Sequence, residues 1–584
     1  MTITAAVDRA AADASEVKPQ EEMCGARILL EALVREGVDT VFGYPGGAVL
    51  PIYDELAKMA SRLRHVLARH EQGAIHMAEG YSKATGKTGV VLVTSGPGAT
   101  NTITGIANAY MDSTPLVIIT GQVPRKMIGT DAFQEVDTIG ITRPCTKYNY
   151  MVRDLQELAP IVHEAFYLAS TGRPGPVLID VPKDVCTERS SIAQSAKLRL
   201  PGYRPSLGAD QEQIERALER VLAAKRPVLY VGGGIIHSGA SEELLRLAEV
   251  LHLPVTPTLM GLGCFPAAHP LCLGMLGMHG TYWANMAVSG ADLLLAIGVR
   301  FDDRVTGALD KFARQAEIVH IDVDASSLSK NVHAHCAIVG DAKGALRQML
   351  DVLREKSSQP SAERLDSWWR QIDSWKAQGP LTYTNSSEVI KPQKLCQELD
   401  RITGGQAIIA TDVGQHQMWL AQYYGFRQPR QSLTSGGLGA MGYGFPAALG
   451  AQIAFPERQV IAFVGDGGFQ MTAQELATAV QYRTNTKVII MNNNSLGMVR
   501  QWQQIFYDRN YSHVDMEWTP DFVKLAEAYG AKGLRARHPS ELTAVLEEGL
   551  AAPGVVVMDI VVEVEENVFP MIPPGAGLNE MVLG

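Results

Sequence analysis

Apolar residues fall in short unbroken runs along this chain, and each run stops at glycine or at a polar cluster. Residues 89–94, 116–121, 176–180, 227–234, 292–298, 317–322 and 407–412 follow this rule. So do Val460-Ile-Ala-Phe-Val-Gly465 and Val488-Ile-Ile-Met491, the second running into Asn492-Asn493-Asn494. Runs without polar alternation predict strands buried on both faces of a parallel sheet. Between them lie segments of helical pattern, at 25–36, 73–85 and 472–482. Strands alternating with helices predict an α/β fold of doubly wound parallel sheets.

Breaker-rich joints separate three such segments. The expected divisions are a disordered tail over 1–22, α/β domains over 23–190, 205–350 and 389–562, a linker over 351–388, and a tail over 563–584 that folds over the site. In the linker, Trp368, Trp369 and Trp375 are expected to pack against a domain. The middle segment runs a strand into Gly232-Gly233-Gly234, a weak nucleotide-binding sign because it lacks Gly-x-Gly-x-x-Gly spacing. No residue repeat relates the first segment to the third.

Composition narrows the class. A chain of 584 residues should hold three or four domains. Its formal net charge of −10 gives no basic footprint for nucleic acid. No apolar run reaches the roughly 20 residues that span a bilayer. The first residues carry Asp8, Asp13, Glu16, Glu21 and Glu22 without an apolar core, which argues against signal and transit peptides and for a cytoplasmic protein. Seven cysteines without Cys-x-x-Cys spacing fit reduced thiols, not a disulfide framework or a zinc site.

Candidate chemistry concentrates in Gly465-Asp466-Gly467-Gly468 and the asparagines that follow the next strand. In an open parallel sheet, ligands sit outside the carboxyl ends of the strands. Asp466 and Asn493 would therefore face one crevice. A carboxylate, amide oxygens and close glycine backbone suit a magnesium diphosphate, whose metal prefers hard oxygens. Gly-Asp-Gly alone is equally a polar-capped strand–turn–helix, and the asparagines tip the balance toward a site.

With these motifs the chain resembles the thiamin-diphosphate (ThDP) enzymes, whose signature is Gly-Asp-Gly, a helix, then Asn-Asn. The resemblance implies that Asp466, Asn493 and the main-chain carbonyl of Ser495 hold Mg2+. It assigns Gln415, His416, Gly439, Gly467 and Gly468 to the cofactor and Met441 to the wedge between its rings. Glu71, in His70-Glu71-Gln72-Gly73, takes the role of the carboxylate that tautomerises the aminopyrimidine. Read without the family, Glu71 is a helix N-terminal carboxylate, and Met441 a core methionine.

Longer runs narrow the resemblance. Gly43-Tyr-Pro-Gly-Gly47, Arg69-His-Glu-Gln-Gly73, Thr94-Ser-Gly-Pro-Gly-Ala-Thr100, Thr130-Asp-Ala-Phe-Gln-Glu135, Val299-Arg-Phe-Asp-Asp-Arg304 and Gly497-Met-Val-Arg-Gln-Trp502 are similar to the large catalytic subunits of the acetohydroxyacid (acetolactate) synthase family. That family uses three α/β domains: pyrimidine-binding, central FAD-binding and Rossmann-like, and diphosphate-binding. It decarboxylates pyruvate and passes the two-carbon unit to pyruvate or 2-oxobutanoate, giving 2-acetolactate or 2-aceto-2-hydroxybutanoate for valine, leucine and isoleucine synthesis.

By the same resemblance, FAD meets Arg173, His279, Arg300, Asp322 and Asp341. Gln134 and Lys183 act on substrate. Phe133, Met278, Asp303, Arg304, Met498 and Trp502 line a channel that also takes sulfonylurea-type herbicides. The expected assembly is a homodimer or homotetramer with shared sites and a small regulatory subunit that binds branched-chain amino acids. Arg173 and Lys183 are otherwise surface-loop cations, and Trp502 an interface anchor. The rival activities are an FAD- and ThDP-dependent pyruvate oxidase, a flavin-free catabolic synthase and a catalytically dead scaffold. A glyoxylate carboligase lacks the glutamate that stands here as Glu71.

Overall fold

The computed structural model describes residues 22–191, 198, 200–205, 208–355 and 361–584. The expected disordered tail, save its last residue, lies outside them. Among the described residues no helix is long and apolar enough to cross a membrane.

Three parallel sheets carry the chain. The first holds β2 (Thr40–Tyr44), β3 (Arg64–Leu67), β4 (Gly89–Val93), β5 (Leu116–Gln122), β6 (Tyr148–Met151) and β7 (Pro176–Pro182), in the order β3-β2-β4-β5-β7-β6. A short antiparallel ribbon, β1 (Met23–Cys24) with β8 (Arg189–Ser190), ties its ends together. The second is β9 (Pro227–Val231), β10 (Val255–Pro257), β11 (Leu293–Ile297), β12 (Glu317–Asp322) and β13 (Cys336–Val339), in the order β10-β9-β11-β12-β13. The third is β14 (Ile408–Thr411), β15 (Ser432–Leu433), β16 (Val460–Gly465), β17 (Lys487–Asn492), β18 (Lys532–Ala536) and β19 (Val556–Val561), in the order β15-β14-β16-β17-β19-β18. Every residue of β17, and of β16 up to its final glycine, is buried, as unbroken Val/Ile runs require.

Counted within each sheet, the first and third orders are the same: second, first, third, fourth, sixth, fifth. The two domains are one topology used twice, although no residue repeat reveals it. The helix after the second strand of each sheet, Glu71–Thr85 and Gly444–Ala454, packs against its counterpart. The crossing is reciprocal. A methyl group on Gly80 would strike the Ala447 carbonyl, and one on Gly450 would strike the Met77 carbonyl. Gly444–Ala454 is apolar around nearly its whole circumference and must be buried, and Glu71–Thr85 is buried along most of its length, with His76 and Glu79 inside it. They join the two sheets in one continuous core.

The central domain extends past its expected end. The helix Ala342–Glu355 crosses residue 350 and buries Val352 and Leu353 in the central core. The helix Asp366–Gln378 is docked there too: Trp368 Nε1 donates to the Pro227 carbonyl at 3.1 Å, and Trp369 Nε1 to the His252 carbonyl at 3.1 Å. The tryptophans thus make this stretch part of the domain. The C-terminal tail leaves the third domain and lies along the central one, with Ile572 N–H donating to the Met278 carbonyl at 3.0 Å and Ala308 N–H to the Ala576 carbonyl at 3.1 Å.

Candidate active site at the carboxyl edges of two matched sheets

Because the strands of each sheet are parallel, the loops after them gather at one edge. In the third domain these loops carry Asp412–His416 after β14, 435–442 after β15, Asp466 after β16 and Asn493 after β17. Asp466 is 2% exposed, and burial pushes its carboxyl up to about 7. Its Oδ2 has no hydrogen-bond partner in the chain. A buried, unpartnered carboxylate oxygen is costly unless a cation meets it, so Asp466 fits a metal.

The other candidate metal ligands beside Asp466 are neutral. Asn493 Oδ1 accepts from Ser495 N–H at 3.1 Å. Asn492 is used structurally, its Nδ2 donating to Asp559 at 2.9 Å. Among the described residues no three His, Cys, Asp or Glu side chains converge on a metal position. One carboxylate with amide and carbonyl oxygens suits Mg2+, which keeps phosphate and water in its shell. His416 lies against the same turn, since a Cβ on Gly465 would come 3.1 Å from its Nδ1. Burial lowers its pKa to about 4, leaving the ring neutral, and its Nε2 is unpartnered.

The turn after β16 differs from expectation. Helix begins at once, as Asp466–Thr472, with Gly467 and Gly468 inside its first turn. The space beside Gly468 belongs to Asp412, whose Oδ1 would lie 2.6 Å from an added Cβ. Gly468 is therefore a packing glycine rather than an open cradle. Asp412 is fully buried and accepts N–H bonds from Val413, Gly442 and Gly444 at 2.8 to 3.2 Å. It fixes the loop that carries Met441, which ends at Gly442 with φ +87°. A Cβ on Gly467 would lie 3.6 Å from Met441 Cε, so the methionine leans over the Asp466 turn.

The first domain repeats the arrangement. Glu71 opens its helix two positions before the expected start, with His70 as N-cap. Its Oε2 accepts from Asn101 Nδ2 at 2.9 Å. The turn after β4 separates Glu71 from Gln134: a Cβ on Gly98 would lie 3.6 Å from Glu71 Oε1, and one on Gly96 would lie 2.8 Å from the Gln134 carbonyl. Gln134 itself sits at φ +60°. Phe133 is 89% exposed. Lys183 starts the helix after β7, on the same edge.

A cavity of about 2430 Å³ opens between the central domain and both partners. Gly232, Gly233 and Gly234 line it with Arg173, Met278, His279, Arg300, Asp303, Arg304, Asp322 and Asp341. Gly439, Met441, Met498 and Trp502 line it from the third domain. Its size exceeds the roughly 300–1,000 Å³ of ordinary ligand pockets. Burial raises the Asp322 carboxyl to about 6. His279, held neutral by burial with a pKa near 4, meets the tail at the Pro570 carbonyl, 3.3 Å away. Glu71, Phe133, Gln134, Lys183, Gln415, His416, Gly467, Gly468, Asp466, Asn493 and Ser495 do not line this cavity.

Comparison with known proteins matches this layout. The chain matches family models for the thiamine pyrophosphate enzyme N-terminal TPP binding domain over 23–141, the central domain over 214–349 and the C-terminal TPP binding domain over 412–560. Over 570 residues it is 49% identical to the acetolactate synthase isozyme 3 large subunit of Escherichia coli, covering 96% of this chain and 99% of that protein. It is 48% identical to the acetolactate synthase large subunit of Haemophilus influenzae over 96% of this chain and 98% of that one. The chloroplastic acetolactate synthase 2 of Nicotiana tabacum is 47% identical over 97% of this chain and 86% of its own length. The chain belongs to the acetolactate synthase family of thiamin-diphosphate enzymes. The family's two cofactor-binding domains coincide with the two sheets of matched topology, so this member binds ThDP.

Sequence reasoning did not single out several residues that support the candidate site through hydrogen bonds: Asn101 beside Glu71, Asp412 beneath the Met441 loop, and, further out, Glu475 and Gln501. Asp412 had a signal, a carboxylate at the carboxyl end of an apolar run. Glu475 and Gln501 act through partners hundreds or tens of positions away, which no local pattern marks.

Proposed function

We propose that the chain is the catalytic subunit of an acetolactate synthase, decarboxylating pyruvate and joining the two-carbon unit to pyruvate or 2-oxobutanoate. Near-complete coverage of named acetolactate synthase large subunits carries this reading. Bound ThDP supplies the carbon nucleophile on which the two-carbon unit is held. Asp466, Asn493 and the Ser495 carbonyl take Mg2+, with Gln415 and His416 beside it. Met441 would pack against the bound cofactor. Glu71 holds a proton at the pyrimidine, and its hydrogen bond from Asn101 orients the carboxylate. Gln134 and Lys183 orient the oxo acid. Met498 and Trp502, with Met278, Asp303 and Arg304, wall the acceptor pocket and exclude water.

The large cavity takes FAD, which undergoes no net redox change in this reaction. Arg173, His279, Arg300, Asp322 and Asp341 are its contacts. The active unit is a homodimer or larger assembly in the cytoplasm, joined by the small subunit that the relatives' name "large subunit" implies. Self-association is supported by exposed apolar side chains near both carboxyl edges: Phe133 at 89%, Met471 at 51%, Val499 at 50% and Trp518 at 96%.

Product analysis from pyruvate with ThDP, Mg2+ and FAD tests the reading. The expected product is 2-acetolactate, with 2-aceto-2-hydroxybutanoate when 2-oxobutanoate is added. Oxygen uptake or dye reduction without a condensation product would instead mark an oxidase.

A further inference from the structure

Gln501 is fully buried on the helix Gly497–Phe506 and bonds to the tail through both ends of its amide. Val568 N–H donates to Gln501 Oε1 at 2.9 Å, and Gln501 Nε2 donates to the Val568 carbonyl at 3.1 Å. Neither backbone group can reverse its role, so the tail fixes which end of the Gln501 amide is oxygen. That oxygen also accepts from Gln415 Nε2 at 2.8 Å. The second Gln415 N–H goes to the Glu566 carbonyl at 3.2 Å. Both Gln415 donors are thereby committed away from the site.

What Gln415 turns the other way is a carbonyl oxygen. Gln415 Oε1 is buried without a partner. It lies against Gly497, where an added Cβ would collide with it and would stand 2.7 Å from Asn493 Nδ2. An acceptor repels the oxygens of a diphosphate and attracts a cation or its bound water. We infer that Gln501 is a positioning residue, locked by the tail at Val568, which holds Gln415 with its carbonyl oxygen toward the cation end of the Mg2+–diphosphate group. The inference rests on reading this edge as the Mg2+–ThDP site. It also gives the tail a chemical role: a tail displaced at Val568 frees Gln501 to turn over, and Gln415 with it.

Calorimetric titration of Mg2+ and ThDP into the cofactor-free full-length chain tests this. Gln501→Leu should weaken binding by about 10–100-fold, the range for lost outer-shell support of a metal site. Its unliganded melting midpoint should fall, because the Val568 N–H and carbonyl and the Gln415 amide lose a buried partner, while its kcat at saturating Mg2+ and ThDP should stay near wild type. Gln501→Glu keeps an acceptor facing Gln415 and should restore most of the affinity, while amide exchange at the tail rises because the bond to the Val568 carbonyl is gone. Val568→Pro, which removes the N–H that orients Gln501, should weaken binding as the leucine variant does. Wild-type affinity in Gln501→Leu or Val568→Pro overturns the inference, as does a Gln501→Glu variant as weak as the leucine one. Should the leucine variant not fold, the proline and glutamate variants decide by the same criteria. Failure of wild type to bind Mg2+–ThDP would remove the site reading itself.

Discussion

The Glu475 carboxylate accepts a hydrogen bond from His70 N–H at 3.1 Å, across 405 positions of chain. It takes another from Arg69 N–H at 3.0 Å and one from the Thr478 hydroxyl at 2.7 Å. Residue 475 closes the helical turns that start at Asp466, and His70 caps the helix that starts at Glu71. The two halves of the duplicated fold are thus stitched together one residue from the proposed catalytic carboxylate.

Burial raises the Glu475 carboxyl to about 7 from an ordinary 4.5, with the hydrogen bonds opposing. A carboxyl whose folded pKa is raised favours the folded state when protonated. That stabilisation is complete below about 4.5 and is lost as pH climbs through about 7. Glu475→Gln, which does not titrate, should therefore gain stability relative to wild type between pH 5 and 8, in the assay range of roughly those units. Melting curves across this range check it. A melting difference that does not change with pH would mean that Glu475 titrates normally.

Glu71→Gln should leave the melting midpoint nearly unchanged and cut turnover by about 10²–10⁴-fold, the worth of a positioned acid–base group. Hydrogen–deuterium exchange at C2 of bound ThDP isolates the step. Wild-type exchange in the variant would take Glu71 out of the role.

Much of this was legible in the chain itself. Short β-branched runs such as Val460–Gly465 read as strands covered on both faces, and parallel strands send their loops to one edge. That logic alone brings Asp466 and Asn493 together. Three things were hidden. Glycines at 467 and 468 mask a helix start because their helix propensity is low, and only the neighbour Asp412 explains them. The duplication survives in strand order and not in residues, since burial constrains apolar character more than identity. The links from Gln501 and Glu475 are side chain to distant backbone, which leaves no period to read.

Mixing inactive Glu71→Gln chains with inactive Asp466→Ala chains should restore partial activity. If the proposed assembly shares its sites between copies, a mixed assembly unites an intact Glu71 from one copy with an intact Asp466 from the other. Activity measured after verified subunit exchange is the test. No recovery would mean that each site is built within one chain.

Trp502→Leu should flatten the choice between pyruvate and 2-oxobutanoate as acceptor while leaving pyruvate self-condensation largely intact. The two acceptors differ by one methylene, worth about 1–3 kcal/mol in an apolar pocket. Trp502 lines the cavity beside Met498 and packs on Phe506 with ring centroids 5.2 Å apart. The product ratio in competition at fixed pyruvate measures the effect. An unchanged ratio would move the discriminating wall to another residue.

The reciprocal crossing at Gly80 and Gly450 decides where the chain can be divided. At that crossing each helix covers the other's glycine with its backbone. A fragment ending near residue 190 would expose one bare glycine face, and a fragment starting near 389 would expose its mate. Either piece expressed alone should aggregate. Co-expressed, the two should recover a common soluble particle, whatever becomes of the central domain, because the glycine faces are a lock and key that the duplication itself cut.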